Sequence, residues 1–406
     1  MTRLSLNLLG IVMALVLLSC AQPVSYTPSA STSGVTTPPS KPIVSPASSA
    51  QDVSSSSPTA APPSGPQNSI KSTWIPGSWN DIDGWSTDPI HEIWSTLVVG
   101  CEKPHPVMKP LCPQIRQRSL EDESEQRLWL MTHLQPYQIV SRDNSTQALN
   151  REVGLLTSYY EPEIPAQLSP DSTFKYPLFS PPASLALARS QGKPWFSRQD
   201  IESSNLVQNE LKGKALAWLS DPLDVMIVHI QGSARLKVAG SGPIPTVYRL
   251  KFAASNDQPY ISMGRWMMDQ GLLKDASWPN IRAALQTHPE RAQEAFWSNP
   301  RYVFFSLEPL GQTQTGPTGA WGVPLLAGRS VAVDPQSVPL GIPLWITSSG
   351  ASPLSRLVLS QDTGGAIQGA VRADFFAGTG DAAGAWAGQM KQPLKMWALW
   401  PRDLPQ

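Results

Sequence analysis

Charge of one sign is what this 406-residue sequence lacks: 31 lysines and arginines are matched by 31 aspartates and glutamates. Nucleic-acid phosphates demand a basic surface, so a nucleic-acid partner is not expected. Histidine and cysteine are scarce as well, at five and three residues. His91, His105 and His133 fall at none of the regular spacings of metal ligands, so neither a metal nor another cofactor is expected. Long apolar runs are missing too. The stretch from Leu8 to Leu18 is too short for a membrane span. From Ala21 to about Gln67 there is hardly an aromatic or large aliphatic residue. Such a segment cannot bury enough apolar surface to offset chain entropy, so disorder is expected there. Its prolines make it a semi-rigid tether over residues 21–70.

What is present begins with a signal. One early cation, Arg3, precedes the short apolar stretch, which ends in Leu17, Leu18, Ser19 and Cys20, the pattern of a secretory signal over residues 1–20. A small residue before a cysteine at this place reads as a bacterial lipoprotein cleavage site, which puts lipid on Cys20; the rival is a plain cleaved signal with an incidental cysteine. Several acyl chains hold a protein firmly to a membrane. Ala21 directly after the cysteine carries no acidic retention signal, which favours the periplasmic face of the outer membrane. Export also bears on Cys101 and Cys112, which flank His105 and three prolines. An oxidising compartment favours a disulfide between them, with a metal site as the rival reading.

The folded part, about Trp74 to Trp400, is long enough for two domains. Helical punctuation marks Gly77 to Thr96 and Glu121 to His133, and later Ile261 to Leu273 and Asn280 to Trp297. Between them lie β-prone runs bounded by glycine and proline: Gly154 to Ile164, Tyr176 to Phe179, Val225 to Leu236, and Thr246 to Phe252. Val303 to Phe305 and Val331 to Val333 continue the pattern, with corners at Gly316 to Gly319 and Gly322 to Leu325. Alternating short strands and corners argue for small Greek-key-like barrels with peripheral helices. Fifteen tryptophans suit a groove for sugars, whose apolar faces stack on aromatic rings, as well as they suit a core.

The chemistry is expected between Leu357 and Gly378. Leu357, Val358 and Leu359 form a short apolar strand that breaks at Gln361-Asp362 into the glycine corner Gly364-Gly365. Asp374 follows twelve residues later, beside Phe375 and Phe376. Large aromatics desolvate a carboxylate and raise its pKa toward that of a general acid, whereas Arg372, on the same face of a strand, lowers it. The residues by themselves leave open a second reading, an Asx-type turn at Asp362 and a surface ion pair at Asp374.

The string DTGGAIQGAVRADFFAGTG from Asp362 to Gly380, with Ala383-Gly384, Ala387-Gly388 and Trp397, resembles the C-terminal signature of the membrane-bound lytic murein transglycosylase A family. SVAVDP from Ser330 and PLGIPLW from Pro339 match as well and supply Asp334, the first of three aspartates after which that region is named. The resemblance implies a double-psi β-barrel over 71–163 and 299–406, with the three-aspartate region at 316–401. A second small β-barrel is implied over 164–298, inserted into the first, with a groove between the two. It makes Asp374 the acid/base and Asp362 and Asp334 its supports. Tyr159, Tyr160, Gln231, Ser233 and Thr363 become groove residues. His229 stands where some members carry an acidic residue and is read as a core or groove histidine. The implied reaction cuts the β-1,4 bond between N-acetylmuramic acid and N-acetylglucosamine in peptidoglycan strands and closes a 1,6-anhydro ring. Proteins of cell-wall synthesis or hydrolysis are the implied partners. A hydrolase on a similar barrel, or a non-catalytic wall-binding lipoprotein, is the alternative.

Overall fold

The computed structural model describes residues 69–143, 151–240, 245–310 and 316–402. The expected signal, Cys20 and the tether up to residue 68 lie outside the described residues. The chain first lays down β1 (Ser72–Pro76), β2 (Leu134–Ser141) and β3 (Gly154–Glu161). Then come β4 (Glu163–Ala166), β5 (Tyr176–Phe179), β6 (Ala215–Leu219), β7 (Ser233–Val238), β8 (Thr246–Ser255) and β9 (Val303–Pro309). The last group is β10 (Ser330–Val333), β11 (Pro343–Ser348), β12 (Leu354–Asp362), β13 (Arg372–Thr379) and β14 (Lys391–Pro401). The architecture is mainly β, with helices around the sheets.

The first and last groups share one sheet in the order β1-β2-β14-β11-β12-β10-β13-β3, and β3 pairs again with β14. Six strands therefore close into a ring, which leaves no free edge among them. Two of its pairings, β10 with β12 and β13 with β3, are parallel, and the others are antiparallel. Leu357, Val358 and Leu359 are buried on both faces of β12, which is why they read as a continuous apolar run. The N-terminal segment is tied to the ring by the buried Arg329. Its guanidinium grips both oxygens of buried Asp88 at 2.8 and 3.0 Å, and Asp88 also accepts the Leu357 amide at 2.9 Å. Cys101 and Cys112 form a disulfide inside the same core.

The middle group forms a four-stranded sheet, β4-β7-β8-β9, and a separate pair, β5-β6. A single bridge between Gln167 and Trp218 joins them around one apolar core that includes Ile164, Leu219, Leu250 and Phe305. No ladder joins β5 to β9 among the described residues, so the second barrel expected here is incompletely closed. β9 belongs to this sheet, past the boundary expected at residue 298.

Helices differ from expectation in four places. Residues 222–231, expected to extend β7, are helical instead. Asp221 caps the amide of Leu223 at 2.8 Å, Pro222 occupies the first turn, and Gly232 ends the helix at φ 79°. Its apolar residues face two cores, Val225 and Val228 one and Leu223 and Met226 the other, so its amphipathic period is hidden. The segment expected as a helix over 77–96 is α-helical only from His91, because Gly84 and Pro89 precede it. Asn280 to Trp297 breaks at Pro289 into helices Trp278–Thr287 and Ala292–Trp297. The stretch 261–273 shortens to Met263–Asp269.

The two sheets meet at Glu161, the last residue of β3. Its carboxylate is fully buried and accepts from Arg235 at 2.8 Å, Arg249 at 3.0 Å and Thr379 at 3.1 Å. Arg235 and Arg249 come from β7 and β8. Removing one member of such a buried set strands the other charges, so Glu161→Gln is expected to cost about 3–5 kcal/mol in urea unfolding followed by tryptophan fluorescence. A loss below about 1 kcal/mol, the scale of an exposed ion pair, would show that the arginines find other partners.

Candidate active site

Strand register builds the site. Ala332 on β10 is the partner of Asp362 on β12 and also of Asp374 on β13, and Asp374 in turn pairs with Thr157 on β3. Directly paired residues point to the same face of a sheet. Asp362, Ala332, Asp374 and Thr157 therefore form one row across four strands, with the small alanine between the carboxylates. Strand spacing places the two aspartate backbones roughly 10 Å apart. A register shift between Val331 and Ala332 brings Asp362 into the row.

Each carboxylate has a different environment. The Thr157 hydroxyl donates to Asp374 Oδ1 and accepts from Arg372 Nη2 at 2.7 Å. No hydrogen bond among the described residues reaches Asp374 Oδ2. Burial pushes the Asp374 carboxyl above the usual range, and it outweighs the Arg372 cation and the Thr157 hydrogen bond, which pull the other way. Asp362 is raised as well, first by burial and further by the charge of Asp374. Both of its oxygens are engaged: Oδ1 accepts the Ala320 amide at 2.8 Å and Oδ2 the Tyr159 hydroxyl at 2.9 Å.

Asp334 does not join them. Burial favours its neutral form, but the Lys71 ammonium at 2.7 Å and the amides of Gly369 and Gln336 together hold it below the usual carboxylate range. It closes the turn after β10 and pins Gly369, inside the loop that runs from Asp362 to Asp374. The expected third active-site carboxylate is thus a loop anchor, because the chain turns away from the row after Val333.

A cavity of about 250 Å³ opens over the row and is lined by Tyr159, Gln231, Thr363, Asp362 and Asp374. It adjoins a larger cavity of about 570 Å³, which adds Ser233 and the exposed Phe252. Tyr160 lines neither: its ring packs against Gly384, and only its backbone amide reaches toward the site, donating to Gln231 Oε1 at 3.0 Å. His229 borders both cavities but is buried. Its Nδ1 meets Arg198 Nη2 at 2.9 Å, and burial together with the Arg198 cation holds the imidazole neutral. Thr157, Tyr260 and Arg301 also line it and were not singled out in the sequence. Tyr260 and Arg301 sit in irregular segments, which carry no periodic signal; Thr157 stood in a recognised strand, two residues before Tyr159.

Comparison with known proteins gives two matched regions. Residues 155–306 match the MltA specific insert domain and residues 329–400 the 3D domain. The chain is 28% identical over 266 residues to the membrane-bound lytic murein transglycosylase A of Vibrio cholerae, a match covering 62% of this chain and 66% of that protein. The solved membrane-bound lytic murein transglycosylase from Agrobacterium tumefaciens superposes with a TM-score of 0.68 at 27% identity, covering 81% of this chain and 98% of the other. Lytic transglycosylase LtgG of Burkholderia pseudomallei gives a TM-score of 0.54 at 32% identity, covering 83% of this chain and 100% of the other.

The raised pKa of Asp374 has a consequence for stability. A carboxyl whose folded pKa lies above its unfolded value contributes stability that is full below the unfolded pKa and is lost as pH rises through the folded one. At pH 7, where the unfolded carboxyl is ionised, the desolvation of Asp374 therefore weighs against folding. Asp374→Asn is expected to melt at the same or a higher temperature than wild type at pH 7, and the gain is expected to vanish near pH 4. A lower melting temperature at pH 7 would mean that the Thr157 and Arg372 contacts outweigh desolvation.

Proposed function

Because the chain belongs to the membrane-bound lytic murein transglycosylase A family, we propose that it cleaves the β-1,4 bond between N-acetylmuramic acid and N-acetylglucosamine in peptidoglycan and forms 1,6-anhydro-N-acetylmuramic acid. Asp374 is the acid/base. The observation that carries this assignment is the unengaged Oδ2 of Asp374, a carboxyl that burial raises above the usual range, whereas both oxygens of Asp362 are occupied.

The reaction balances without water. Asp374 gives its proton to the glycosidic oxygen as the bond from C1 to that oxygen breaks and the N-acetylglucosamine side leaves. The C6 hydroxyl of the muramic acid then attacks C1, and its proton returns to Asp374. Because that hydroxyl is tethered to the reacting carbon, its effective concentration is high and one free carboxyl suffices. Asp362, held by Tyr159 and Ala320, supplies negative potential as positive charge develops on the sugar ring. The Thr157 hydroxyl, oriented by Arg372, fixes the Asp374 rotamer. Asp334 shapes the connecting loop from outside the cavity. Gln231, Ser233, Thr363 and Phe252 extend the sugar-binding surface; the exposed Phe252 ring offers a stacking face.

The closed six-strand ring with its two parallel pairings supports a double-psi β-barrel, and the strands from β4 to β9 form the inserted domain, ending after Pro309. Lipid on Cys20, a tether over 21–70 and residence on the periplasmic face of the outer membrane complete the reading. The substrate lines a periplasmic protein's path, and proteins of cell-wall synthesis or hydrolysis are its class of partner.

Digestion of purified sacculi followed by mass spectrometry tests the reaction, since an anhydro-muropeptide is one water lighter than the hydrolysis product. Asp374→Asn is expected to reduce anhydro release by about two to four orders of magnitude while sacculus binding persists. Asp362→Asn is expected to retain partial activity. Near wild-type release from Asp374→Asn would transfer the acid/base role to Asp362, and products with a water-derived reducing end would identify a hydrolase.

A further inference from the structure

Arg301 presents its guanidinium to the active-site cavity. It lines both the smaller and the larger cavity, at the place where one opens into the other. Its guanidinium is half-buried, yet no hydrogen bond or ion pair reaches it among the described residues. Burial pushes its pKa down and outweighs the attraction of the Asp257 carboxylate, which is itself held in a two-bond pair by Arg189.

The segment is built to hold it there. The Arg301 amide donates to Asn299 Oδ1 at 3.2 Å, and its carbonyl accepts from Arg198 Nη2 at 2.8 Å. Arg198 and Asn299 are both almost fully buried, and Arg198 also donates to the Asn299 carbonyl at 3.1 Å. Below the guanidinium lies Gly365, in the glycine corner that follows Asp362. A Cβ there would come within 3.3 Å of Arg301 Cζ, so the glycine gives the guanidinium its room. A fixed backbone and an open set of N–H donors beside the carboxyl pair form a preorganised acceptor site.

Resting on the transglycosylase reading, we propose that Arg301 recognises the lactyl carboxylate of N-acetylmuramic acid and so makes glycan stripped of its stem peptides the preferred substrate. A guanidinium fork matches a carboxylate with two parallel hydrogen bonds. The lactyl ether is the one carboxyl-bearing group of the glycan backbone, and N-acetylglucosamine has none. In peptide-bearing strands the same carbon is an uncharged amide, which offers a single acceptor. The Arg301 cation also offsets the repulsion that Asp362 and Asp374 exert on an incoming anion.

The test compares three forms of glycan: denuded strands, denuded strands whose lactyl carboxyls have been converted to methylamides, and peptide-bearing strands. The wild-type full chain is expected to show kcat/KM for anhydro release about 10- to 100-fold higher on denuded strands than on the other two. Arg301→Gln is expected to bring the ratio of the denuded-strand rate to the methylamide rate down toward one; Arg301→Lys should fall between. Equal wild-type rates on carboxylate and methylamide strands would overturn the proposal, as would a uniform fall on both in Arg301→Gln. Strand binding measured in parallel separates the two readings. Preference for the carboxylate in binding, lost in Arg301→Gln, with no anhydro product from any strand, would keep the recognition and sink the transglycosylase reaction. Anhydro product with no carboxylate preference would do the reverse.

Discussion

The buried carboxylate of Glu161 is the constraint on which the rest of the structure depends. An isolated ion in that position would be prohibitively costly, so the two arginines from β7 and β8 must meet it, and the threonine from β13 completes its shell. Those partners belong to both sheets, which fixes the second sheet against the end of the ring. Glu163 continues the set on the other side of Pro162, facing Lys237 at 2.7 Å and Arg235 at 3.7 Å. With that junction held, helix 222–231 delivers Gln231 and His229 to the cavity whose opposite wall is the row from Asp362 to Thr157.

Three aspartates of one motif illustrate how environment divides labour. Asp334 meets an ammonium and two amides and stays ionised as a structural anchor. Asp362 is enclosed but takes two hydrogen bonds, one on each oxygen. Asp374 is enclosed with one oxygen engaged. The side-chain chemistry is the same in all three, so the division arises from the number of donors each carboxylate meets and from how much water each has lost.

Much of this was legible in the chain. The apolar run from Leu357, the glycine corner and the position of Asp374 beside two phenylalanines were local features, and the structure keeps them as β12, a turn and β13. The competition at Asp374 between desolvation and Arg372 was visible but undecided until burial could be seen. The row itself was not legible, because Ala332 reaches both aspartates only through a parallel and an antiparallel pairing that no spacing encodes. Helix 222–231 was misread for the opposite reason: its signals, Asp221-Pro222 at one end and Gly232 at the other, were local, but an apolar run buried on two sides masked the period. Asp334 and Tyr160 show the limit of motif transfer, since both lie in recognised strings and neither side chain lines the cavity.

The hydrogen bonds of Asp362 also bear on why the proposed reaction avoids water. Hydrolysis of a glycoside ordinarily needs a second carboxylate, either to activate a water molecule or to attack the sugar. Among the described residues Asp362 is the only other carboxylate lining the smaller cavity, and although burial raises its pKa, the Ala320 amide on one oxygen and the Tyr159 hydroxyl on the other hinder it from meeting a water molecule or the sugar. The Tyr159 hydroxyl gives no help as a base, because burial and the neighbouring Asp362 raise its pKa well above the usual value. In the proposed reaction Asp374 is then the group that takes the proton, and it has just given one away. The nucleophile most accessible to it is the one the substrate already carries, the C6 hydroxyl. On this argument the preference for ring closure over hydrolysis comes from how completely the second carboxylate is hydrogen-bonded, and not from any group added to the site.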